Sequence, residues 1–151
     1  MATQNGTRWS GESVGLAFSR LALGIIFVVS GIGKVFAMGP KASGIDAFAG
    51  TLAQLGVPLP TVAAWGIGVL ELVGGGLLLI GLFTRLVAAL LAVDMAVATV
   101  LVHLPNGFVV SDGGYEYTLV LTLSALGLAL SGPGVLSVRR ALAGARSSAS
   151  Q

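Results

Sequence analysis

The sequence contains no cysteine and only one histidine. Without cysteine the chain forms no disulfide, runs no thiol relay and offers no thiolate to zinc or to an iron–sulfur cluster. With one histidine it cannot build a histidine-rich metal site or a bis-histidine haem within a single chain. We therefore expect no metal site, and no cofactor that this chain holds with covalent or metal-ligand bonds of its own.

Charged residues are also scarce. They make up 9% of the chain, against about 25% in an ordinary soluble domain, while 55% of the residues are hydrophobic. The net charge is +2, and the basic residues do not gather into a stripe of the kind that binds nucleic acid. The composition therefore predicts a membrane protein whose partner is the lipid bilayer, and it predicts no nucleic-acid partner.

Long apolar runs predict an all-α membrane protein, a bundle of four transmembrane helices. The expected spans are about 14–36, 61–82, 84–104 and 115–130. They form a membrane domain over 14–134, between a polar tail at 1–13 and a basic tail at 135–151. The first apolar run is longer than a signal-peptide core, so we expect it to be retained as a span.

The connecting segments indicate orientation and one further helix. Apolar residues at 45, 48, 52 and 55 predict a short amphipathic helix that lies on the membrane surface or plugs one end of the bundle. Four spans place both termini on the same side. The arginines at 8, 85, 139, 140 and 146 fall on that side, so the positive-inside rule predicts cytoplasmic termini.

Two acids and one arginine lie inside the predicted spans. Glu71 and Asp94 occupy the middle of the second and third spans, where a charge costs about 2.5–3.5 kcal/mol and should face protein or water. Arg20, in the first span, is long enough to reach that depth. We expect a buried pair of Arg20 with Asp94 or Glu71, and both choices stay open. Such a pair can serve only to hold helices together; the acid left over is the candidate for carrying a proton.

A second polar group is expected at the outer mouth of the bundle, formed by Lys34, His103 and Glu116. Arg20 and Lys34 are 14 residues apart, about 21 Å along a helix, so they should not serve one small site. Each outer residue also has a simple structural interpretation. Lys34 can extend to the interface, His103 can end a helix, and Glu116 can favour a helix N-terminus.

Glycines recur on the faces that carry these charges. Gly31, Gly68 and Gly75 are expected to be helix-packing positions, because a residue without a side chain lets two helices approach closely.

Several short motifs in a fixed order resemble those of the DoxX family of small four-span membrane proteins. In the first half these are Gly31-Ile32-Gly33-Lys34, Gly56-Val57-Pro58, Glu71 and Gly81-Leu82-Phe83-Thr84-Arg85. In the second half they are His103, Asn106-Gly107-Phe108, Gly114-Tyr115-Glu116-Tyr117 and Gly132-Pro133-Gly134. The resemblance covers roughly residues 15–138. One departure is Val138-Arg139-Arg140, where members of the family often carry an acid.

The resemblance implies a multi-pass protein of a bacterial-type cytoplasmic (plasma) membrane that acts as a subunit or anchor of a redox complex, quinone-linked or protective against oxidative stress. Its implied partner is a soluble oxidoreductase subunit, and its implied cofactor is a quinone. Separately, the glycine-rich helix faces allow the chain to form a homo-oligomer. In that interpretation Glu71 handles a proton, and Lys34 and His103 lie near a quinone carbonyl. The alternative is a small-solute or lipid transporter, or an inert scaffold, with an intramembrane carboxylate site.

Overall fold

A computed structural model describes residues 11–134, and the regular structure of this part of the chain is all helical, with no strand. The helices are α1 (Gly11–Phe36), α2 (Ile45–Gln54), α3 (Pro60–Ile80), α4 (Thr84–Ala98) and α5 (Glu116–Ser131). A π-helical turn at Thr99–His103 extends α4, and 3₁₀ turns follow at Leu104–Asn106 and Val110–Asp112. The all-α class is confirmed. The predicted basic tail and most of the predicted polar tail lie outside the described residues.

Between residues 11 and 134, three helical segments are long and apolar enough to cross a membrane: Ser13–Phe36, Pro60–Ile80 and Thr84–Asn106. Helix α5 is apolar but shorter, at 16 residues. Large apolar side chains such as Ile25, Val69 and Val93 are exposed on the outside of these helices. An outer surface of this kind suits lipid rather than water.

The boundary between α3 and α4 follows from local chemistry. Pro60 is the first residue of α3, where a backbone N–H would have no hydrogen-bond partner within the helix, so proline costs no bond there. Gly81 ends the helix with a left-handed φ of 73°. The N–H groups of Gly81 and Leu82 donate to the carbonyls of Leu78 and Leu77, which completes a Schellman motif. Helix α4 begins only three residues later, at Thr84, so α3 and α4 are antiparallel neighbours.

The bundle has two unlike ends. At the closed end, defined here by Arg20, Arg85 and residues 131–134, the Nη1 group of Arg20 donates to the carbonyl of Pro133 at 2.8 Å. The interior next to this end is a packed apolar core, which includes Leu23, Leu78, Leu91 and Leu128. The loop end, defined by residues 37–59 and 104–115, holds α2 and the turns before α5.

Helices α1 and α3 form the most extensive helix contact, and glycines set their separation. A Cβ atom added to Gly75 would lie 2.7 Å from the backbone nitrogen of Val28. A Cβ atom added to Gly31 would overlap the backbone of Leu72. The two backbones therefore touch directly, as small residues allow in membrane bundles.

The same contact shows that α1 and α3 are staggered. Gly31 lies about 8 Å before the end of α1, whereas its neighbour Leu72 lies about 18 Å after the start of α3. The first turns of α3 thus extend about 10 Å beyond the end of α1. Helix α2 packs on this overhang, with Ile45, Ala49 and Leu52 in one cluster with Ala64.

The glycine contact yields a test with a control on the adjacent residue. Gly75→Ala should lower the free energy of unfolding by about 1–3 kcal/mol, because the new methyl group meets backbone atoms that cannot move aside. Gly76→Ala should leave it unchanged or slightly raised, since a Cβ atom there meets nothing within 4 Å. Thermal unfolding in detergent measures both. Equal losses in the two variants would contradict the close contact.

Candidate functional site

A cavity of about 430 Å³ opens in the half of the bundle next to the loop end. Its volume is within the range of sites for small organic molecules. Most of the wall is apolar, and all five helices contribute to it. The polar residues of the wall are Ser30, Lys34, Lys41, Ser43, Thr51, Glu71, Asp94, His103, Tyr117 and Thr118.

An ion pair between Lys34 and Glu71 lies at the inner wall of the cavity. The Nζ of Lys34 is 2.5 Å from Oε2 of Glu71 and donates a second hydrogen bond, of 2.8 Å, to Oγ of Ser30. The side chain of Glu71 is 2% exposed and that of Lys34 is 15% exposed. Such a buried, charge-assisted hydrogen bond is stronger than a neutral one, and each partner depends on the other to offset lost hydration.

The glycine contact between α1 and α3 brings this pair together. Gly31 rests on Leu72, which is the neighbour of Glu71, and Lys34 follows Gly31 by about one helical turn. Side chains on a helix tilt toward its N-terminus, so the lysine extends back along α1 toward that contact. Ser30, four residues before Lys34, lies on the same face and receives its second hydrogen bond.

Asp94, on α4, places a second carboxylate at the cavity. Its Oδ2 atom is buried and has no hydrogen-bond partner within residues 11–134. Asp94 interacts electrostatically with both Glu71 and Lys34, unfavourably with the first and favourably with the second. Two acids therefore share one nearby lysine, and the inner part of the cavity has an excess of acceptor groups.

His103 and Tyr117 line the cavity nearer the loop end. The Nδ1 atom of His103 is 2.7 Å from the carbonyl oxygen of Gly113. Because a carbonyl only accepts, Nδ1 must carry the proton, and Nε2 of a neutral ring is then an acceptor. Lys41 places its Nζ 5.1 Å from the centre of the Tyr117 ring, as in a cation–π contact.

The π-helical turn at Thr99–His103 forms part of the same wall. It carries Leu101, Val102 and His103 into the cavity lining. Thr99, the first residue of the turn, donates its hydroxyl hydrogen to the carbonyl of Met95 at 2.7 Å. π-helical turns of this kind are frequent at functional sites.

Helix α2 covers the cavity from the side. Phe48 places its ring 5.1 Å from Nζ of Lys34, and Thr51, Leu52 and Leu55 continue the wall. Of the two placements that the sequence allowed for this helix, the structure shows it packed against the bundle, on the overhang of α3. Its apolar face closes the cavity rather than facing lipid alone.

The predicted pairing of Arg20 with Glu71 or Asp94 is wrong. Glu71 pairs with Lys34, while Arg20 is at the closed end and donates to the Pro133 carbonyl. The expectation assumed that helices begin level with one another. The stagger of α3 instead brings Glu71 to the level of α1 residues near Lys34. The separate inner and outer sites that the sequence suggested are therefore one site, formed by Lys34, Glu71, Asp94 and His103.

Glu116, the first residue of α5, bonds to the preceding loop rather than lining this site. Its Oε1 atom accepts a hydrogen bond of 2.8 Å from the backbone nitrogen of Val110, and it does not line the cavity. The neighbouring Tyr117 does. Sequence reasoning missed Ser30, Phe48 and Tyr117. Ser30 could have been found from its four-residue spacing to Lys34, whereas Phe48 depends on the position of α2.

Fold and site together define a small helical membrane protein with a partly polar cavity at one end. The chain belongs to the DoxX family, whose model matches residues 15–104. This range runs from the second turn of α1 to just past the end of the π-helical turn and includes Lys34, Glu71, Asp94 and His103. No solved structure matches the chain.

Bacterial relatives agree with this assignment. The protein named "Putative oxidoreductase CatD" of Bacillus subtilis (strain 168) is 34% identical, over 83% of this chain and 84% of that protein. An uncharacterized membrane protein of Mycobacterium tuberculosis is 36% identical, over 82% of this chain and 78% of its own. Inner membrane protein YphA of Escherichia coli (strain K12) is 29% identical, over 83% and 88%.

The shared lysine predicts unequal costs for the two halves of the ion pair. Lys34→Met should lower the free energy of unfolding by about 3 kcal/mol, because it leaves two acids without a nearby cation. Glu71→Gln should cost less than Lys34→Met, because the electrostatic attraction between Asp94 and the lysine remains. The double variant should cost less than the sum of both.

Denaturant titration of the purified protein in detergent measures these differences. Lys41→Met is the matched control, since Lys41 is exposed and removing its charge should change stability little. A larger loss for Glu71→Gln than for Lys34→Met would show that Asp94 does not share the lysine.

Proposed function

We propose that this protein is a membrane component of a redox assembly, and that its cavity binds the head group of a quinone. The observation that carries the proposal is the Lys34–Glu71 pair and Asp94 at the wall of an otherwise mostly apolar cavity. A quinone needs such a combination: apolar walls for its ring and tail, and a few placed polar groups for its two oxygens. The Bacillus subtilis relative is named an oxidoreductase, which supports a redox role.

The cavity wall reaches the outer surface of the bundle, which supports a lipid-soluble ligand. Leu55, Val97 and Leu101 line the cavity and are also 37%, 48% and 43% exposed, respectively. In a membrane the exposed apolar side of such residues contacts lipid chains. A ligand with an apolar tail can therefore keep the tail in the bilayer while its head group enters between α2 and α4.

The residues of the site fit the chemistry of a quinone. Lys34 uses two of its three N–H hydrogens on Glu71 and Ser30, which leaves one donor for a carbonyl oxygen. Tyr117 and Lys41 add donors nearer the loop end. A bound quinone supplies two-electron, two-proton redox chemistry, for which Glu71 and Asp94 are the candidate proton carriers. The electrons are expected to come from a soluble partner subunit.

We also propose four spans, with both termini in the cytoplasm and the loop end facing out. The start of α1, the α3–α4 link with Arg85 and the end of α5 all share the closed end, and this grouping is what a basic cytoplasmic side requires. Helix α5 is about 24 Å long, which is short for a bilayer but within reach when the membrane thins locally.

Transport of a small solute or lipid stays the alternative prediction. A transporter needs a path to both sides of the membrane, whereas packed apolar residues such as Leu78 and Leu91 lie between the cavity and the closed end. Uptake into proteoliposomes that is abolished in Glu71→Gln would favour transport. An inert scaffold would show neither uptake nor binding.

A cavity-filling variant tests quinone binding directly. Ala98 lines the cavity, so Ala98→Phe should reduce the binding of a decyl-tailed benzoquinone at least tenfold by occupying the space of the ring. Ala89, on the same helix, is exposed on the outer surface, and Ala89→Phe is the control that should bind normally. Equilibrium binding to protein in lipid nanodiscs, with solvent extraction and chromatography, measures both.

Binding of the quinone at the same level to all three proteins would mean that it partitions into lipid and not into the cavity. That result would contradict the proposed function.

A further inference from the structure

We infer that residues 108–110 form an interfacial anchor, a loop segment whose side chains lie in the lipid where acyl chains meet headgroups. The segment is at the loop end, between the end of the membrane-long helix Thr84–Asn106 and the start of α5. In the part of the chain that the structure describes, the cavity wall does not include these three residues. Their contact with lipid is therefore independent of the proposed quinone site.

The side chains of the segment form an exposed apolar run. Phe108, Val109 and Val110 are each about half exposed. Consecutive large apolar side chains on the outside of a protein are typical of a contact with a membrane or with another protein. The next two residues, Ser111 and Asp112, are exposed and polar, so the apolar run ends abruptly where the chain turns toward α5.

Lipid is the occupant that the neighbouring surface favours. Val100 and Leu104 lie one turn apart on the membrane-long helix, and both are exposed. This helix ends at Asn106, so residues 108–110 can lie at most about 14 Å beyond its end. The apolar surface that faces lipid along the helix thus continues into the loop at the level of the membrane surface.

The backbone of the segment is also suited to a site with little water. All four carbonyl groups of residues 107–110 accept hydrogen bonds from backbone N–H groups of residues 112–116. The N–H groups of Phe108 and Val109 have no bond within residues 11–134. Backbone groups without a partner are excluded from the hydrocarbon core, whereas headgroups and their water supply acceptors. The segment therefore fits the interface and not the centre of the bilayer.

Glu116 positions this segment. Its Oε1 atom accepts a hydrogen bond of 2.8 Å from the backbone nitrogen of Val110, and it stands at the first residue of α5, where the helix dipole favours a negative charge. The rings of Phe108 and Tyr115 meet edge to face with centres 5.4 Å apart. These contacts hold the apolar side chains outward against the start of α5.

Single cysteine variants test the contact with lipid without background, because the chain has no cysteine. Val109→Cys, Ser111→Cys and Val93→Cys are each spin-labelled in phosphatidylcholine nanodiscs. Collisions with oxygen, which concentrates in lipid, and with a water-soluble nickel chelate give the depth of each label. We expect the label at 109 to lie about 5–10 Å into the boundary between headgroups and acyl chains. The label at 93 should lie deeper, and the label at 111 should lie in water.

A second set of variants, made in Val109→Cys, tests the role of Glu116. Glu116→Ala should shift the label at 109 toward water and increase its motion, because the N–H group of Val110 loses its acceptor. Glu116→Gln should keep the original depth, since its amide oxygen can still accept. Asp112→Ala is the matched control, because Asp112 is an exposed acid of the same loop whose carboxylate does not bond to residues 108–110.

The outcomes separate the two claims. Equal access of the nickel chelate to the labels at 109 and 111 would overturn the contact with lipid and favour a soluble protein partner for this loop. Shielding of the label at 109 from both reagents would also overturn it, and would indicate a second copy of the chain. An unchanged depth in Glu116→Ala would overturn the role of Glu116 alone. If Glu116→Ala does not fold, the comparison of 109 with 111 still decides whether the loop contacts lipid.

Discussion

The direct backbone contact between α1 and α3 determines the rest of this structure. Because Gly31 and Gly75 carry no side chain, the two helices touch, and the contact fixes both their separation and their stagger. The stagger brings Glu71 level with the last turns of α1, where Lys34 can reach it. A larger residue at either glycine would separate a lysine and a glutamate that each depend on the other for burial.

The stagger also explains why the cavity lies at one end. Where α3 extends beyond α1, no fourth long helix fills the space, and the short α2 covers it instead. Phe48 and Leu52 then form a wall that a ten-residue helix can supply but that does not pack the interior fully. At the other end the four longer helices meet around a packed apolar core that includes Leu78 and Leu91. The bundle is thus packed at the closed end and holds its cavity at the loop end.

Sequence reasoning predicted the all-α class, the approximate helices and four of the polar residues that line the cavity, because these follow from hydropathy and from the cost of a charge in lipid. It assigned the wrong partner to Glu71 because it measured depth from helix ends that it assumed to be level. No local pattern reports the offset between two helices, which depends on where their backbones can touch. For the same reason Tyr117 was missed in favour of Glu116, whose carboxylate instead accepts from the backbone of Val110. The sequence thus indicated which residues are polar and buried, but not which residues of different helices lie at the same level.

The balance of charge at the site follows from the same registration. If Arg20 had reached the cavity, two cations, Arg20 and Lys34, would have neutralised the two acids. The structure instead places Arg20 at the closed end, where it donates to the Pro133 carbonyl, and leaves Lys34 to serve Glu71 and Asp94. Within residues 11–134, Asp94 keeps a buried carboxyl oxygen without a hydrogen-bond partner, while Lys34 is bonded to Glu71. A ligand in the cavity can therefore form a hydrogen bond with Asp94 that the described residues do not supply, so the unpartnered carboxyl group shapes the chemistry of the site beside the groups that are paired.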